Sequence, residues 1–362
     1  MAALAAPSCQ PARVHDEDRA LKAMQALAKV VQGASSGVDA ASGGWLALQV
    51  RLRAAADALV TAELTESRRD EVRLGCQAYL ELVMRTAEDA MTGLGASSLE
   101  RLQGRSQRYL ELVASSQSRL VAHGSELLSS LLRSGGGQAE RSHSHNEAFG
   151  QSAAASHSSA ARHPSIHAPL LPSGTHGSGG GRSCVMTHGY SPYAIALLLR
   201  AAQEAHFTLL VAEGRPDGPG HRTANELLGA GVPVRMIEPG AMARCMAQVQ
   251  LVLCGAHAVL ADGGVLAPVG TLTMAYAARA HGRPFYIAAP HHIFSRTPHV
   301  DARAQAMVRA RPSAMSDSSG PILLEEPWRD ATPPQLVTLL ITDVGLLTPS
   351  AVADEMLQRR ND

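Results

Sequence analysis

Several residues of this chain are of types that could do chemistry, and they gather between positions 187 and 271. His188, in Thr187-His188-Gly189-Tyr190-Ser191, and His257, in Gly255-Ala256-His257-Ala258-Val259, carry imidazoles, which exchange protons near neutral pH. The alternative for His257 is a ring that fills or lines a pocket. Glu213 and Arg215 share the turn Ala212-Glu213-Gly214-Arg215-Pro216, where the guanidinium could grip a phosphate bidentately. The alternative is that the two side chains simply pair within the loop. Asp262-Gly263-Gly264-Val265 and Val269-Gly270-Thr271 follow His257 closely. Gly270 and Thr271 would open a helix whose N-terminal amides favour an anion, unless the glycine serves only the turn.

Other candidates are weaker. Asp343 has apolar residues before it and Gly345 after it, and reads as a turn or interface residue rather than a catalytic one. Trp328, beside Pro327, reads as an interface anchor or a surface strap. His143, His145, His157, His163, His167 and His176 lie in a Ser-, Gly- and Ala-rich tract. Without Cys or carboxylates at fixed spacing they point to a flexible spacer, with weak metal binding as the alternative, and no metal or other cofactor is expected.

The elements that would position these groups divide the chain into three zones. Residues 14–133 are rich in Ala, Leu, Glu and Arg and read as a helical domain. Leu99, Leu102, Tyr109, Leu112, Val113, Leu120 and Leu127 predict one apolar stripe on a helix. Tyr79-Leu80-Glu81-Leu82-Val83 recurs as Tyr109-Leu110-Glu111-Leu112-Val113, which suggests two helices of a bundle. Residues 134–182 cannot bury enough apolar surface to offset chain entropy and read as a disordered insert. In residues 183–362 short apolar runs alternate with helical stretches. Strands are expected at Cys184–Thr187, Phe207–Ala212, Val234–Ile237, Leu251–Cys254, Phe285–Ala289 and Leu336–Ile341. Helices are expected after Ser191, at Thr223–Leu228, Thr271–His281 and Ser350–Arg359, and a loop at Asp301–Ser319. This alternation means a parallel sheet flanked by helices.

Bulk properties exclude some classes. Acidic and basic residues balance at 32 each, so no basic field draws nucleic acid or an anionic membrane. No run approaches the length of a membrane-spanning helix. The first residues lack a secretory pattern and the five cysteines are scattered, which together point to the cytosol.

Three stretches carry a specific resemblance. They are Thr187-His188-Gly189-Tyr190-Ser191; Gly255-Ala256-His257 with Asp262-Gly263-Gly264 and Val269-Gly270-Thr271; and the tail, Glu326-Pro327-Trp328, Leu339-Leu340-Ile341-Thr342-Asp343-Val344-Gly345 and Leu347-Thr348-Pro349-Ser350-Ala351-Val352. Together they resemble the alpha, beta and delta subunit family of translation initiation factor 2B, its alpha branch best. That family is related to methylthioribose-1-phosphate and ribose-1,5-bisphosphate isomerases. The resemblance implies an α/β chain: an N-terminal helical bundle plus a C-terminal Rossmann-like parallel sheet flanked by helices. It also implies a homodimer that bridges copies of a guanine-nucleotide exchange complex. Its partners would be the other initiation factor 2B subunits and initiation factor 2, whose phosphorylated alpha subunit the helical domain would help to sense. Gln32 and Gly33 fall where alpha subunits meet that phosphorylated partner.

The resemblance also bears on catalysis. The isomerases have a Cys where this chain has Gly189, and an Asp where it has His257. A glycine can move no proton, so no catalytic residue is assigned. The isomerases' Asn-Lys pair, whose cation would neutralise a phosphate, corresponds to Ala267 and Pro268. His188, Glu213, Arg215, His257, Asp262, Gly270 and Thr271 would then line a vestigial pocket. The alternative is a sugar-phosphate isomerase, or a sensor that binds a sugar phosphate without turnover.

Overall fold

A computed structural model describes residues 19–34, 42–63, 72–73, 75–84, 98–134, 183–214, 218–295, 308–317, 320–327 and 329–358. Arg215, Trp328 and the histidine-rich residues 135–182 lie outside the described residues.

The N-terminal part is helical: α1 (Arg19–Gln32), α2 (Ser42–Ala62), α3 (residues 75–84) and α4 (Ser98–Ser134). Met24, Leu27 and Val31 of α1 pack with Leu48 and Leu52 of α2, Tyr79 and Val83 of α3, and Leu102 and Val113 of α4. The two echoed pentapeptides are both helical and both bury their valine, but only Tyr79 is fully buried, where its hydroxyl lies 2.5 Å from Ser106 Oγ.

The stripe on α4 differs from expectation. Leu112 is exposed and Leu127 only half-buried, whereas Ser106, Ser116, Leu128 and Leu132 are buried. The line through Leu99, Leu102, Ser106, Val113, Ser116, Leu120, Leu128 and Leu132 keeps helical spacing and admits small hydroxyls, Ser106 paired with Tyr79 of α3 and Ser116 bonded back to Val113 O. An apolar tally passes over them.

Beyond α4 come strands β1 (Ser183–His188), β2 (Phe207–Ala212), β3 (Val234–Ile237) and β4 (Leu251–Gly255). The remaining strands are β5 (Ala258–Leu260), β6 (Val265–Pro268), β7 (Phe285–Ala288), β8 (Phe294–Ser295), β9 (Val308–Asp317), β10 (Gly320–Pro327), β11 (Arg329–Thr332), β12 (Leu339–Thr342) and β13 (Gly345–Leu347). The helices are α5 (Pro192–Ala202), α6 (Pro219–Gly229), α7 (Met242–Cys245), α8 (Thr271–Ala280) and α9 (Val352–Gln358).

The main sheet runs β13-β12-β7-β4-β1-β2-β3, parallel except for β13. Its inner strands β1, β2, β4 and β7 are buried almost throughout because both faces are covered, whereas the edge strands β3 and β13 are partly exposed. Val185, Leu209, Leu251 and Ile341 face α4 and α5, while Met186, Leu210, Val252 and Leu340 face α7 and α8. Strand order leaves β1 toward β2 and β3, then returns to β4 on the other side. This switch point lies at the carboxyl ends of β1 and β4, the place where open sheets of this kind form their ligand crevice. A smaller sheet, β11-β6-β5-β8, closes over that end.

Three expectations in the tail are corrected. Residues 308–317 of the expected loop form β9, which pairs with β10 in an antiparallel hairpin. A polar stretch reads as a loop only until a partner strand takes up its backbone groups. Leu336 belongs to a 3₁₀ turn, Pro334–Leu336, because Pro333 and Pro334 fix the chain in a tight bend, and the strand begins at Leu339. The last helix starts at Val352, after a 3₁₀ turn at Pro349–Ala351. Among the described residues no helix is long and apolar enough to cross a membrane.

Candidate functional site

The crevice is built from the ends of β1 and β4, the β6–α8 turn and the start of β11. Ser191 ends the first turn as expected: its Oγ accepts the Ala194 N–H at 3.3 Å and Pro192 opens α5. The tight approach continues at Gly255, where a Cβ would strike the Ser191 side chain.

His188 is buried, and its Nε2 donates to the Val269 carbonyl at 2.7 Å. Burial lowers its pKa, outweighing the Val269 bond and the charge of Asp330. A neutral ring that donates through Nε2 is a strut between β1 and the β6–α8 turn. Gly270 accommodates it: its φ is +104°, and a Cβ there would lie 3.0 Å from His188 Nε2.

Gly189 has φ +69°, its carbonyl accepts the Thr223 hydroxyl at 2.7 Å, and a Cβ would meet Pro268 Cγ at 3.3 Å. Both the backbone and the neighbouring proline therefore oppose a side chain here. Cys254, at the end of β4, does not supply the missing thiol. It is fully buried and its pKa is pushed up to about 12 by burial.

His257 donates its backbone N–H to Leu266 O at 2.7 Å, while its Nδ1 is buried with no hydrogen-bond partner among the described residues. Burial, and then the charge of Arg329, lower its pKa to about 3. It stays neutral at physiological pH and is far too weak a base to work there.

Among the described residues, Glu213, Asp262 and Thr271 have structural partners. Glu213 Oε1 lies 3.2 Å from His221 Nε2, and its backbone holds β3 and the start of α6. Asp262 Oδ1 accepts the Gly264 N–H at 2.8 Å and shapes the β5–β6 turn. Thr271 is buried and donates its hydroxyl to Pro268 O at 2.7 Å. Gln32 and Gly33 are exposed at the end of α1, with the Gly33 N–H donating to Lys29 O at 2.9 Å.

Sequence reasoning missed Asp330. Its Oδ2 accepts the N–H of Gly270 at 2.5 Å and of Leu272 at 3.1 Å. The helix N-terminus read as an anion site already holds a carboxylate of the chain itself. The register β11↔β6 sets this up, placing Asp330 opposite Ala267 and Arg329 opposite Pro268. The local signal was the lack of any capping side chain at Gly270; the cap comes from 60 residues away.

Asp343 is a packing residue with a charge. Its side chain is fully buried, Oδ1 accepts the His291 N–H at 2.7 Å, and Oδ2 lies 2.7 Å from His291 Nδ1 and 2.8 Å from Arg119 Nη2.

Parts of this chain are similar to known proteins. Residues 181–349 match the Initiation factor 2 subunit family. The chain is 35% identical over 185 residues to translation initiation factor eIF2B subunit alpha of Dictyostelium discoideum, covering 48% of this chain and 58% of that protein. It is 34% identical over 175 residues to ribose 1,5-bisphosphate isomerase of Haloferax volcanii, covering 46% of this chain and 54% of that enzyme. The chain thus spans little more than half the length of these curated relatives. A solved tetrameric eIF2B beta2-delta2 complex from C. thermophilum shares the fold, with a TM-score of 0.57 at 18% identity over 94% of this chain and 87% of that one. The main sheet lies largely within residues 181–349, the stretch that matches the Initiation factor 2 subunit family.

Proposed function

We propose that this chain is a non-catalytic regulatory subunit of the initiation factor 2B guanine-nucleotide exchange complex. It acts by pairing with a second copy, by holding other subunits of that complex, and by responding to phosphorylated initiation factor 2 alpha. Residues 14–133 would serve the phosphorylated partner, with Gln32 and Gly33 exposed for it. Residues 183–362 would serve assembly, and residues 134–182 would be a spacer. A dimer joining two half-assemblies raises the effective concentration of each for the other.

The observation that carries this reading is Gly189. The place where the isomerase relatives would have a thiol is a left-handed glycine closed in by Pro268. The neutral, weakly basic His257 supports the same conclusion. Purified protein is expected to convert neither ribose 1,5-bisphosphate nor methylthioribose 1-phosphate, and to run as a dimer in light scattering at micromolar concentration. Turnover of either sugar phosphate, or a stable monomer, would contradict the reading.

A second reading, binding of a sugar phosphate without turnover, is favoured by Arg329. It stands opposite Pro268 in the β11↔β6 register, near enough to lower the pKa of His257, and could replace the cation missing at Pro268. A thermal shift with sugar phosphates separates the readings. A ligand at about 100 times its Kd stabilises by about 2.7 kcal/mol.

A further inference from the structure

The helical core and the sheet core meet on one helix, α4. The helical core takes Leu102 and Val113 from it, and the sheet core takes Leu120, Leu128 and Leu132. Between Val113 and Arg119 runs Ala114-Ser115-Ser116-Gln117-Ser118. Serine forms helix less readily than alanine or leucine. Ser115 and Ser116 also turn their hydroxyls back, onto Leu112 O at 3.2 Å and Val113 O at 2.7 Å. Such back-bonding bends and slightly loosens a helix.

The C-terminal half of α4 is held on the sheet. Gly124 packs with no room for a Cβ between Ile341 and Leu197. Ser183 Oγ donates to Leu132 O at 2.8 Å, and Gln250 Nε2 to Leu131 O at 2.6 Å. The N-terminal half contributes Leu99, Leu102 and Val113 to the helical core.

Arg119 spans the weak stretch. Its Nη2 donates to Leu112 O at 3.2 Å on one side and to Asp343 Oδ2 at 2.8 Å on the other. Gln117 Nε2 adds a bond to Pro192 O at 3.2 Å. Asp343 is fixed by the two bonds from His291, which lies just beyond the carboxyl end of β7, as Asp343 lies just beyond that of β12. We propose that residues 114–118 are a hinge, and that the Arg119–Asp343 ion pair is the latch that sets the angle of the helical region over the sheet. Arg119 is a positioning residue in this device, and the latch ties that angle to the loop bearing His291.

Pulsed-EPR distances between labels at exposed Lys29→Cys and Arg235→Cys, in the full chain with C9S and C245S, test the latch. One narrow distribution is expected with Arg119 present. It should broaden in R119M and D343N and narrow again in R119K. Hydrogen exchange across residues 112–118 should rise roughly tenfold in R119M, the scale of a lost bond to a charged group. Exchange in β1, β2 and β4 should not change. Adding S115A and S116A to R119M should slow exchange across 112–118, because alanine stiffens the helix. An unchanged distance distribution in R119M, or equally faster exchange in the sheet strands, would overturn the proposal. So would the absence of slowing by the two alanines.

Discussion

Asp330 caps α8 through Gly270: the carboxylate Oδ2 accepts the Gly270 N–H at 2.5 Å, and the same oxygen takes the Leu272 N–H at 3.1 Å. An acidic cap at a helix N-terminus satisfies orphan amides and complements the helix dipole. Asp330→Ala should cost about 1–2 kcal/mol, read by denaturant unfolding, and Asp330→Asn less, because an amide oxygen still accepts. Equal stability of Asp330→Ala and wild type would show that the amides find water as readily.

Gly124 is the close contact between α4 and the sheet. A Cβ there would lie 2.5 Å from Ile341 Cγ2 and 2.7 Å from Leu197 Cδ2. Overpacking costs about 1–3 kcal/mol, and alanine returns up to about 1 kcal/mol in helix propensity. Gly124→Ala should therefore lower Tm, although the same substitution on an exposed helix face raises it.

His257 makes stability depend on pH. Its folded pKa is about 3, against an ordinary 6.5. Between these values the unfolded chain binds a proton that the folded chain does not, so stability falls as pH falls from 6.5 toward 3. The slope approaches about 1.4 kcal/mol per pH unit per such group. His188, lowered in the same direction, adds to it. Asp343 adds to acid lability further down: burial raises its pKa, but His291 and then Arg119 bring it below 3.8, and that stabilisation is lost as the carboxylate protonates. His257→Gln should flatten the slope between pH 6 and 4 in chemical denaturation, as about one proton fewer is taken up on unfolding. An unchanged slope would place the uptake elsewhere.

Gly189→Cys restores the thiol of the isomerase relatives without their setting. With φ at +69° and Pro268 Cγ 3.3 Å from the new Cβ, it should destabilise by about 1–3 kcal/mol. It should also give no turnover of ribose 1,5-bisphosphate, because neutral His257 offers no effective base. Measurable turnover would mean that the crevice keeps more of the isomerase chemistry than its residues indicate.

Much of the sheet was legible because its inner strands are mostly apolar and separated by Gly and Pro turns; β1, β2 and β4 begin and end within a residue of expectation. The crevice was legible in part. His188, His257, Gly270 and Thr271 could be placed near strand ends from their motifs, but not their partners. Asp330 and Gly270 are far apart in sequence and joined only by the β6–β11 register, which no local pattern reveals. The same holds for Arg119 and Asp343, 224 residues apart. The stripe on α4 was misjudged because Ser106 and Ser116 are buried while Leu112 is not, a choice made by the neighbouring helices.

The central claim, a non-catalytic subunit of the exchange complex, is tested most directly by recovering the tagged full chain from native extract and weighing the intact assembly by mass spectrometry. The account predicts initiation factor 2B subunits in stoichiometric amounts, with two copies of this chain. Recovery of the chain with none of those subunits would contradict it.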